Sequence, residues 1–82
     1  MVENTLRGIL LEVGNLSVPV TAIGSSDDLF AVGLTSFATV GVMLAIESAF
    51  DVEFPDSLLV RSTFTSIDAL ASVVLGLKST AT

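Results

Sequence analysis

The 82-residue sequence contains no cysteine, no histidine, no tryptophan and no tyrosine. Without cysteine, the chain cannot form a disulfide framework, a thiolate zinc site or a cysteine nucleophile. Without histidine, it lacks the commonest general base and the commonest metal ligand. A chain this poor in catalytic side chains is not expected to be an enzyme acting alone.

Positive charge is also scarce. Arg7, Arg61 and Lys78 are the three cations, against nine acidic residues, and the formal net charge is −6. Nucleic-acid binding depends on basic patches, so it is not expected here. The acidic balance favours basic protein partners and disfavours anionic membrane surfaces. The length allows one domain and leaves no room for a second.

A membrane span has to be considered, because mean hydropathy is +0.87 and residues 29–46 carry no charge. Such a run is just long enough to be a transmembrane candidate. Glycine, serine and threonine dilute it, however, and acids rather than Lys or Arg flank it. No basic region precedes an apolar run near the N-terminus, so no signal peptide is visible. We expect no membrane span and a cytoplasmic protein, and we keep a membrane-active segment at 29–46 as the weakest alternative.

Hydrophobic periodicity predicts a first helix over residues 2–13, with a stop signal at Gly14-Asn15. A second helix is predicted to start at Thr35 or Ser36, either of which can cap it, and to run to about residue 50. The connection over residues 15–35 is unusually long, which signals either function or a misread element. Its apolar residues Leu29, Phe30, Val32 and Leu34 suggest that this loop is pinned to a core.

The C-terminal half predicts two more helices. Residues 57–61 can form one or two helical turns, and Thr65-Ser66-Ile67-Asp68 has the spacing of a capping box that opens the last helix. Strand signals are weak, so the expected fold is all-α: a small four-helix bundle of three longer helices and one short helix. We expect a single domain over residues 1–77 and a frayed tail over residues 78–82. The expected core residues are Leu6, Ile9, Leu10, Val42, Ile46, Phe50, Leu70 and Val74.

The second predicted helix is apolar on two sides. One face holds Thr39, Val42, Met43, Ile46 and Phe50, and the other holds Phe37, Val40 and Leu44, with Glu47 continuing the second row. A helix of this kind is either deeply buried or carries a docking surface. The pattern alone leaves both interpretations open.

Ser36 is the chemically interesting hydroxyl, since it lies where the long loop meets a helix N-terminus. The free backbone N–H groups and the helix dipole at such a position suit a phosphate or phosphodiester on that oxygen. With no histidine to act as base and no lysine nearby, Ser36 is not an activated nucleophile. On spacing alone, a simple N-cap role for Ser36 or Thr35 is the better interpretation.

The acidic residues permit two interpretations each. Asp27-Asp28 could bind a metal, but adjacent carboxylates in a loop are more often part of a turn. A second group follows the second helix and comprises Glu47, Asp51, Glu53 and Asp56. This acidic cluster is either a solvated rim or a recognition site for a basic partner.

The sequence resembles a known family in three places. Residues 28–37 (D-L-F-A-V-G-L-T-S-F) resemble the D-L-x-x-x-G-L-D-S-L signature of acyl carrier proteins and related peptidyl and aminoacyl carrier domains. Residues 43–55 (M-L-A-I-E-S-A-F-D-V-E-F-P) resemble the family's second helix and the stretch after it. Residues 65–74 resemble the opening of its last helix. The resemblance covers nearly the whole chain.

The resemblance implies that Ser36 carries 4′-phosphopantetheine through a phosphodiester, and that the thiol of this arm holds an acyl or aminoacyl group as a thioester. The prosthetic group would then bring the sulfur that the chain lacks. Implied partners are a phosphopantetheinyl transferase, an acyl- or aminoacyl-loading ligase and downstream transferases, and a monomer is expected. The alternative is an unmodified helical docking module of the same fold.

Departures from the family pattern concern the start of the second helix. Thr35 stands where the family typically has an Asp, and by resemblance that Asp helps the modifying transferase bind its metal, so efficient modification by a generic transferase is not expected. Ala38 and Gly41 stand where acids are typical. Phe37 replaces the usual Leu. These changes favour a dedicated carrier for a specialised pathway that docks more through apolar contact. The residues predicted to dock partners are Thr35, Phe37, Val40, Leu44, Glu47, Asp51, Glu53 and Asp56.

Overall fold

Three α-helices make up most of the chain. The computed structural model describes the backbone of residues 2–80 and the side chains of residues 2–78. Helix α1 spans Val2–Val13, α2 spans Ser36–Phe50 and α3 spans Ile67–Thr80. Short 3₁₀ turns lie at Val20–Ala22, Asp56–Leu58 and Arg61–Phe64. Residues 2–80 contain no strand, so the predicted all-α class is confirmed.

Helix α1 ends where the sequence predicts. The Gly14 N–H donates to the Leu10 carbonyl at 2.9 Å, and a Cβ at Gly14 would lie 2.6 Å from that oxygen. Any other residue at position 14 would therefore force the backbone to shift. Asn15 follows with a φ of 53°, in the left-handed region that asparagine tolerates better than most residues.

The long loop is pinned to the core, as its apolar residues predict. Leu29 and Leu34 are buried, while Phe30 and Val32 are half-buried against the core. The Leu29 N–H also donates to the Thr65 carbonyl at 2.7 Å. The loop therefore packs as part of the fold, although it contains only one short 3₁₀ turn.

Arg7 of α1 forms hydrogen bonds with this loop. Its position beside the apolar stripe of the sequence does not predict this role. One of its guanidinium nitrogens donates to the carbonyls of Val20, at 3.0 Å, and Ile23, at 2.7 Å. Its Nε donates to the Glu3 carboxylate at 3.0 Å. The two carbonyls lie 13 and 16 residues along the chain, so no local sequence pattern connects them with Arg7.

The sequence predicts a short helix at residues 57–61, and the structure has a different arrangement there. Two 3₁₀ turns stand in its place, at Asp56–Leu58 and Arg61–Phe64. They stay separate because Val60 is extended, with φ −132° and ψ 159°, which interrupts any continuous helical ladder. The bundle therefore has three α-helices, and its fourth element is built of 3₁₀ turns.

The residue that caps α3 is Ser66, one position after Thr65, which the predicted capping box makes the cap. The Ser66 hydroxyl, and not that of Thr65, accepts from the Ala69 N–H at 3.0 Å. The Thr65 hydroxyl instead donates to the Arg61 carbonyl at 3.1 Å. At its other end α3 continues to Thr80, which includes the first residues of the predicted tail; residues 81–82 lie outside the described part.

The core forms between α1, α2, α3 and the segments that connect them. All the residues predicted for it are buried except Phe50, which is half-buried. Phe50 is the last residue of α2, and the chain turns away immediately after it. Phe54 and Phe64 supply the buried rings instead, with their centroids 6.1 Å apart.

Candidate functional site

Thr35 and Ser36 occupy different positions at the start of α2. Thr35 has an extended backbone, and its hydroxyl accepts from the Ala38 N–H at 3.0 Å. Thr35 is therefore the N-cap, and Ser36 is the first residue of the helix. Of the two residues that the spacing offers as N-cap, the structure uses Thr35, so Ser36 does not cap the helix.

The Ser36 hydroxyl is exposed, and no described residue forms a hydrogen bond with it. It lies beside the positive end of the helix dipole, and none of residues 36–39 is acidic. A phosphodiester on this oxygen would meet favourable backbone dipoles and no nearby carboxylate of the same turn. The residues present therefore fit an anionic group attached to Ser36.

The loop before α2 gives Ser36 a fixed support. Gly33 has a φ of 111°, and a Cβ there would lie 2.8 Å from the Ser17 backbone nitrogen. Both the N–H and the hydroxyl of Ser17 donate to the Val32 carbonyl, at 2.9 and 2.8 Å. Leu34, two residues before Ser36, is buried in the core. The chain thus enters α2 from an anchored position.

A cleft of about 350 Å³ opens beside Ser36. Thr39, Val40 and Met43 of α2 form one wall, and residues 59–61 with Phe64 form the other. Its volume lies at the lower end of the range of roughly 300–1,000 Å³ that is usual for small-molecule pockets. A long loop was predicted in this region, but the cleft itself was not, because its two walls are distant in sequence.

The outer face of α2 is apolar and open to solvent. Phe37 is 91% exposed, Val40 54% and Leu44 55%, whereas Val42 and Ile46 on the inner face are fully buried. The two apolar faces predicted from the sequence therefore have different environments, and deep burial of the whole helix is excluded. A grouped apolar surface of this kind is typical of interaction sites.

The predicted acidic cluster separates into one structural residue and three surface residues. The Glu47 carboxylate accepts from the Phe54 N–H at 2.8 Å in a half-buried position. Asp51, Glu53 and Asp56 are exposed. Glu47 therefore ties the end of α2 to the segment that follows, which the sequence pattern did not predict.

The aspartate pair in the long loop stabilises turns. Asp27 accepts from the Gly24 N–H at 2.8 Å, and Asp28 accepts from the Phe30 N–H at 3.0 Å. Within the described residues, no group of three or more acidic side chains is arranged to hold a metal ion. The turn interpretation accounts for both carboxylates.

The uncharged run at 29–46 does not form one continuous helix. It is divided between the loop and α2, which begins at Ser36. In the part of the chain that the structure describes, no helix combines the length and the apolar character needed to cross a membrane.

The family described as "Phosphopantetheine attachment site" matches residues 4–74. The chain belongs to this family. Its covalent prosthetic group is 4′-phosphopantetheine, and it is a carrier protein rather than an enzyme. The resemblance drawn from the three sequence segments is thus confirmed.

Relatives of this carrier protein are known from sequence and from structure. An aminoacyl carrier protein of Agrobacterium fabrum (strain C58 / ATCC 33970) is 53% identical over 70 residues, covering 85% of this chain and 84% of that protein. A carrier protein from Agrobacterium tumefaciens was crystallised with an engineered Bradyrhizobium japonicum glycine:[carrier protein] ligase and AMP. It is 51% identical, with a TM-score of 0.86 over 89% of this chain and 97% of that chain.

A solution structure from Agrobacterium tumefaciens shows the same fold. It is 48% identical to this carrier protein, with a TM-score of 0.76, and the match covers 94% of this chain and 93% of that one. Together these structures confirm the predicted helical carrier fold.

Proposed function

We propose that Ser36 is the residue that carries 4′-phosphopantetheine, and that the carrier protein presents an amino acid on this arm. The observation that supports the attachment site is the exposed Ser36 hydroxyl, which has no partner among the described residues while Thr35 takes the capping role. The arm ends in a thiol, at which a cargo acyl group is held as a thioester.

The chain itself contributes attachment, support and recognition. In the attachment reaction the Ser36 oxygen bonds to the phosphorus of the arm, its proton is lost, and the nucleotide part of coenzyme A leaves. The sequence holds no histidine to take that proton, and the first turn of α2 holds no carboxylate, so we assign the base to the phosphopantetheinyl transferase. The buried Leu34 and the cap at Thr35 keep the acceptor oxygen in a fixed place.

An amino acid is the cargo that the relatives favour. The related Agrobacterium fabrum protein is an aminoacyl carrier protein, and the related Agrobacterium tumefaciens carrier was crystallised with a glycine:[carrier protein] ligase. We infer that an ATP-dependent ligase loads a small amino acid onto this carrier and that a downstream transferase removes it. The carrier would serve a specialised pathway, as a monomer in the cytoplasm.

Partner docking is assigned to the exposed face of α2 next to Ser36. Phe37, Val40 and Leu44 would contact the partner directly, with Thr35 at the edge of the contact. Asp51, Glu53 and Asp56 would form a charged rim at the other end of the helix. Glu47, also predicted to dock, is assigned chiefly to holding Phe54 in place because of the 2.8 Å hydrogen bond.

Intact mass tests the attachment site. After incubation with coenzyme A and a phosphopantetheinyl transferase, the wild type should gain the mass of one phosphopantetheinyl group, and Ser36→Ala should gain nothing while staying helical. Thr35→Ala is the matched control, since it removes the adjacent hydroxyl and should still be modified. Equal modification of Ser36→Ala, or peptide mapping to Thr35, would contradict the assignment. A wild type that is never modified would favour the unmodified docking module.

Loading with glycine tests the cargo. The modified carrier is incubated with glycine, ATP and the engineered Bradyrhizobium japonicum ligase, and should gain the mass of one glycyl group. The gain should disappear on treatment with hydroxylamine, which cleaves thioesters. Loading by a fatty acid ligase, with no gain from glycine, would contradict the aminoacyl assignment and leave the attachment site intact.

A further inference from the structure

Arg61 lies in the wall of the cleft that Ser36 borders. Its guanidinium carbon is 4.0 Å from the centre of the Phe30 ring, which lines the same cleft. This cation–π contact stabilises the side chain but provides no oxygen acceptor. Among the described residues, Arg61 forms no ion pair and its guanidinium donates no hydrogen bond. Its charge and its N–H donors are therefore available to a ligand.

The other two cations are placed differently. Arg7 is used internally, because it pairs with Glu3 and donates to two loop carbonyls. Lys78 lies in the last turn of α3 and does not line the cleft. Among the described residues, Arg61 is thus the cation that lines the same cleft as Ser36.

We propose that Arg61 is the positioning residue for the phosphodiester on Ser36, and that it holds the first part of the phosphopantetheine arm along the cleft. The proposal rests on Ser36 as the attachment site. A phosphodiester adds one negative charge to a chain whose net charge is already −6, so a nearby cation offsets local repulsion. A guanidinium can also bind two phosphate oxygens at once.

The rest of the cleft suits the part of the arm next to the phosphate. Val40 and Met43 on one side and Leu59 and Val60 on the other offer apolar surface to the geminal methyl groups that follow the phosphodiester. Thr39 adds a hydroxyl to the wall, but this hydroxyl donates to the Ser36 carbonyl. The cleft thus combines one cation with apolar walls, and the start of the arm combines a phosphodiester with geminal methyl groups.

Nuclear magnetic resonance of the apo and modified wild-type carrier tests this placement, with intact mass confirming each form. We expect attachment of the arm to shift the Arg61 Nε–Hε signal, the Leu59 and Val60 amides and the Met43 methyl, in addition to residues next to Ser36. Raising the salt from about 10 mM to about 1 M shortens the Debye length from about 30 to about 3 Å. The shifts in the cleft should diminish over that range.

Variants separate the charge of Arg61 from its packing. In Arg61→Gln, the apo-to-modified differences at Leu59 and Val60 should be lost, while those at Phe37 remain. Arg61→Lys keeps the charge without the planar fork and should retain part of them. Lys78→Gln is the charge-matched control and should behave like the wild type. Each variant is compared with its own apo form, which removes any effect of repacking against Phe30.

Two results would overturn the proposal. One is a modified wild type in which only residues adjacent to Ser36 shift and the Arg61 signal is unchanged. The other is an Arg61→Gln variant that keeps the full pattern of differences at every salt concentration. If the transferase does not modify Arg61→Gln, the salt titration of the wild type decides the point. Failure of attachment to Ser36 itself would appear in the mass, so it is distinguished from failure of this proposal.

Discussion

At the scale of single residues, the important division is between two neighbouring hydroxyls. Thr35 is bound to the Ala38 N–H, and Ser36 is exposed at the first position of α2. Both residue types cap helices well, so the sequence cannot assign the roles. The backbone conformation decides the roles. Thr35 has extended φ and ψ angles, which allow its side chain to turn back to the helix N–H groups, whereas Ser36 is already helical.

The cap predicts that a substitution at Thr35 changes stability and leaves the Ser36 hydroxyl, the proposed attachment oxygen, in place. Thr35→Ala should lower the free energy of unfolding by about 1 kcal/mol, and Thr35→Asp should restore or slightly exceed the wild-type value, since Asp is a strong cap. Urea denaturation followed by circular dichroism measures both. Equal stability of all three proteins would show that the 3.0 Å hydrogen bond to Ala38 does not stabilise the helix.

At the scale of elements, the two sides of α2 lie in different environments. Val42 and Ile46 are fully buried, whereas Phe37 is almost fully exposed. Burial of apolar area stabilises the fold in proportion to the area removed from water. Substitutions on the inner face should therefore change stability, and those on the outer face should change binding.

Phe37→Ala tests the outer face. Its free energy of unfolding should stay within about 0.5 kcal/mol of the wild type, while binding to the loading ligase should weaken by about 2 kcal/mol or more if Phe37 is an anchor. Ile46→Ala is the inner-face control and should lose about 2–5 kcal/mol of stability. Calorimetric titration and urea denaturation measure the two quantities.

Salt dependence adds a second outcome for the same surface. Docking through apolar contact should depend only moderately on ionic strength, whereas recognition through the acidic residues would weaken steeply as charges are screened. If binding depends steeply on salt and Phe37→Ala binds the ligase as well as the wild type does, the partner is recognised through Asp51, Glu53 and Asp56 instead.

Glu47 provides an element-scale test of a structural role. Glu47→Ala leaves the half-buried Phe54 N–H without its acceptor and should cost about 1–3 kcal/mol of stability. Glu47→Gln keeps a carbonyl oxygen in the same place and should cost much less. Thermal unfolding of the two variants compares them. Similar losses in both would indicate that the negative charge, rather than the hydrogen bond, is what matters.

At the scale of the whole molecule, Arg7 joins α1 to the long loop that leads to Ser36. Its side chain donates hydrogen bonds to the carbonyls of Val20 and Ile23 and so connects α1 directly to the loop. The loop's buried leucines complete the attachment. The position of Ser36 thus depends on contacts made far from it in sequence.

Arg7→Gln should loosen this connection. We expect a loss of about 1–3 kcal/mol in the free energy of unfolding, because hydrogen bonds to charged groups are the stronger ones and the carbonyls would lose their donor. Amide hydrogen exchange in residues 16–34 should accelerate more than exchange in α3. Lys78→Gln removes the same charge from an exposed position and should change stability by no more than about 0.5 kcal/mol. Equal effects in both variants would contradict the loop-holding role.

The sequence by itself determined the three α-helices, their approximate ends and the two apolar faces of α2. These features depend on periodicity, caps and breakers that act within a few residues. The residues resembling the carrier signature also identified the family and Ser36 as the candidate attachment site. The differences from expectation were local as well. The fourth element consists of 3₁₀ turns, the cap of α3 is Ser66 rather than Thr65, and Phe50 is half-buried; each depended on how the chain turns at one residue.

Only the tertiary structure decided which face of α2 is buried, how Arg7 and Glu47 are used, and what surrounds Ser36. The cleft exists because the fold places α2 and residues 59–64 on either side of it, and Arg61 reaches Phe30 across 31 positions of sequence. Contacts of this kind depend on the relative placement of elements, which hydrophobic burial fixes for the molecule as a whole. No local pattern encodes them, and the surroundings of Ser36 therefore became visible only in the folded chain.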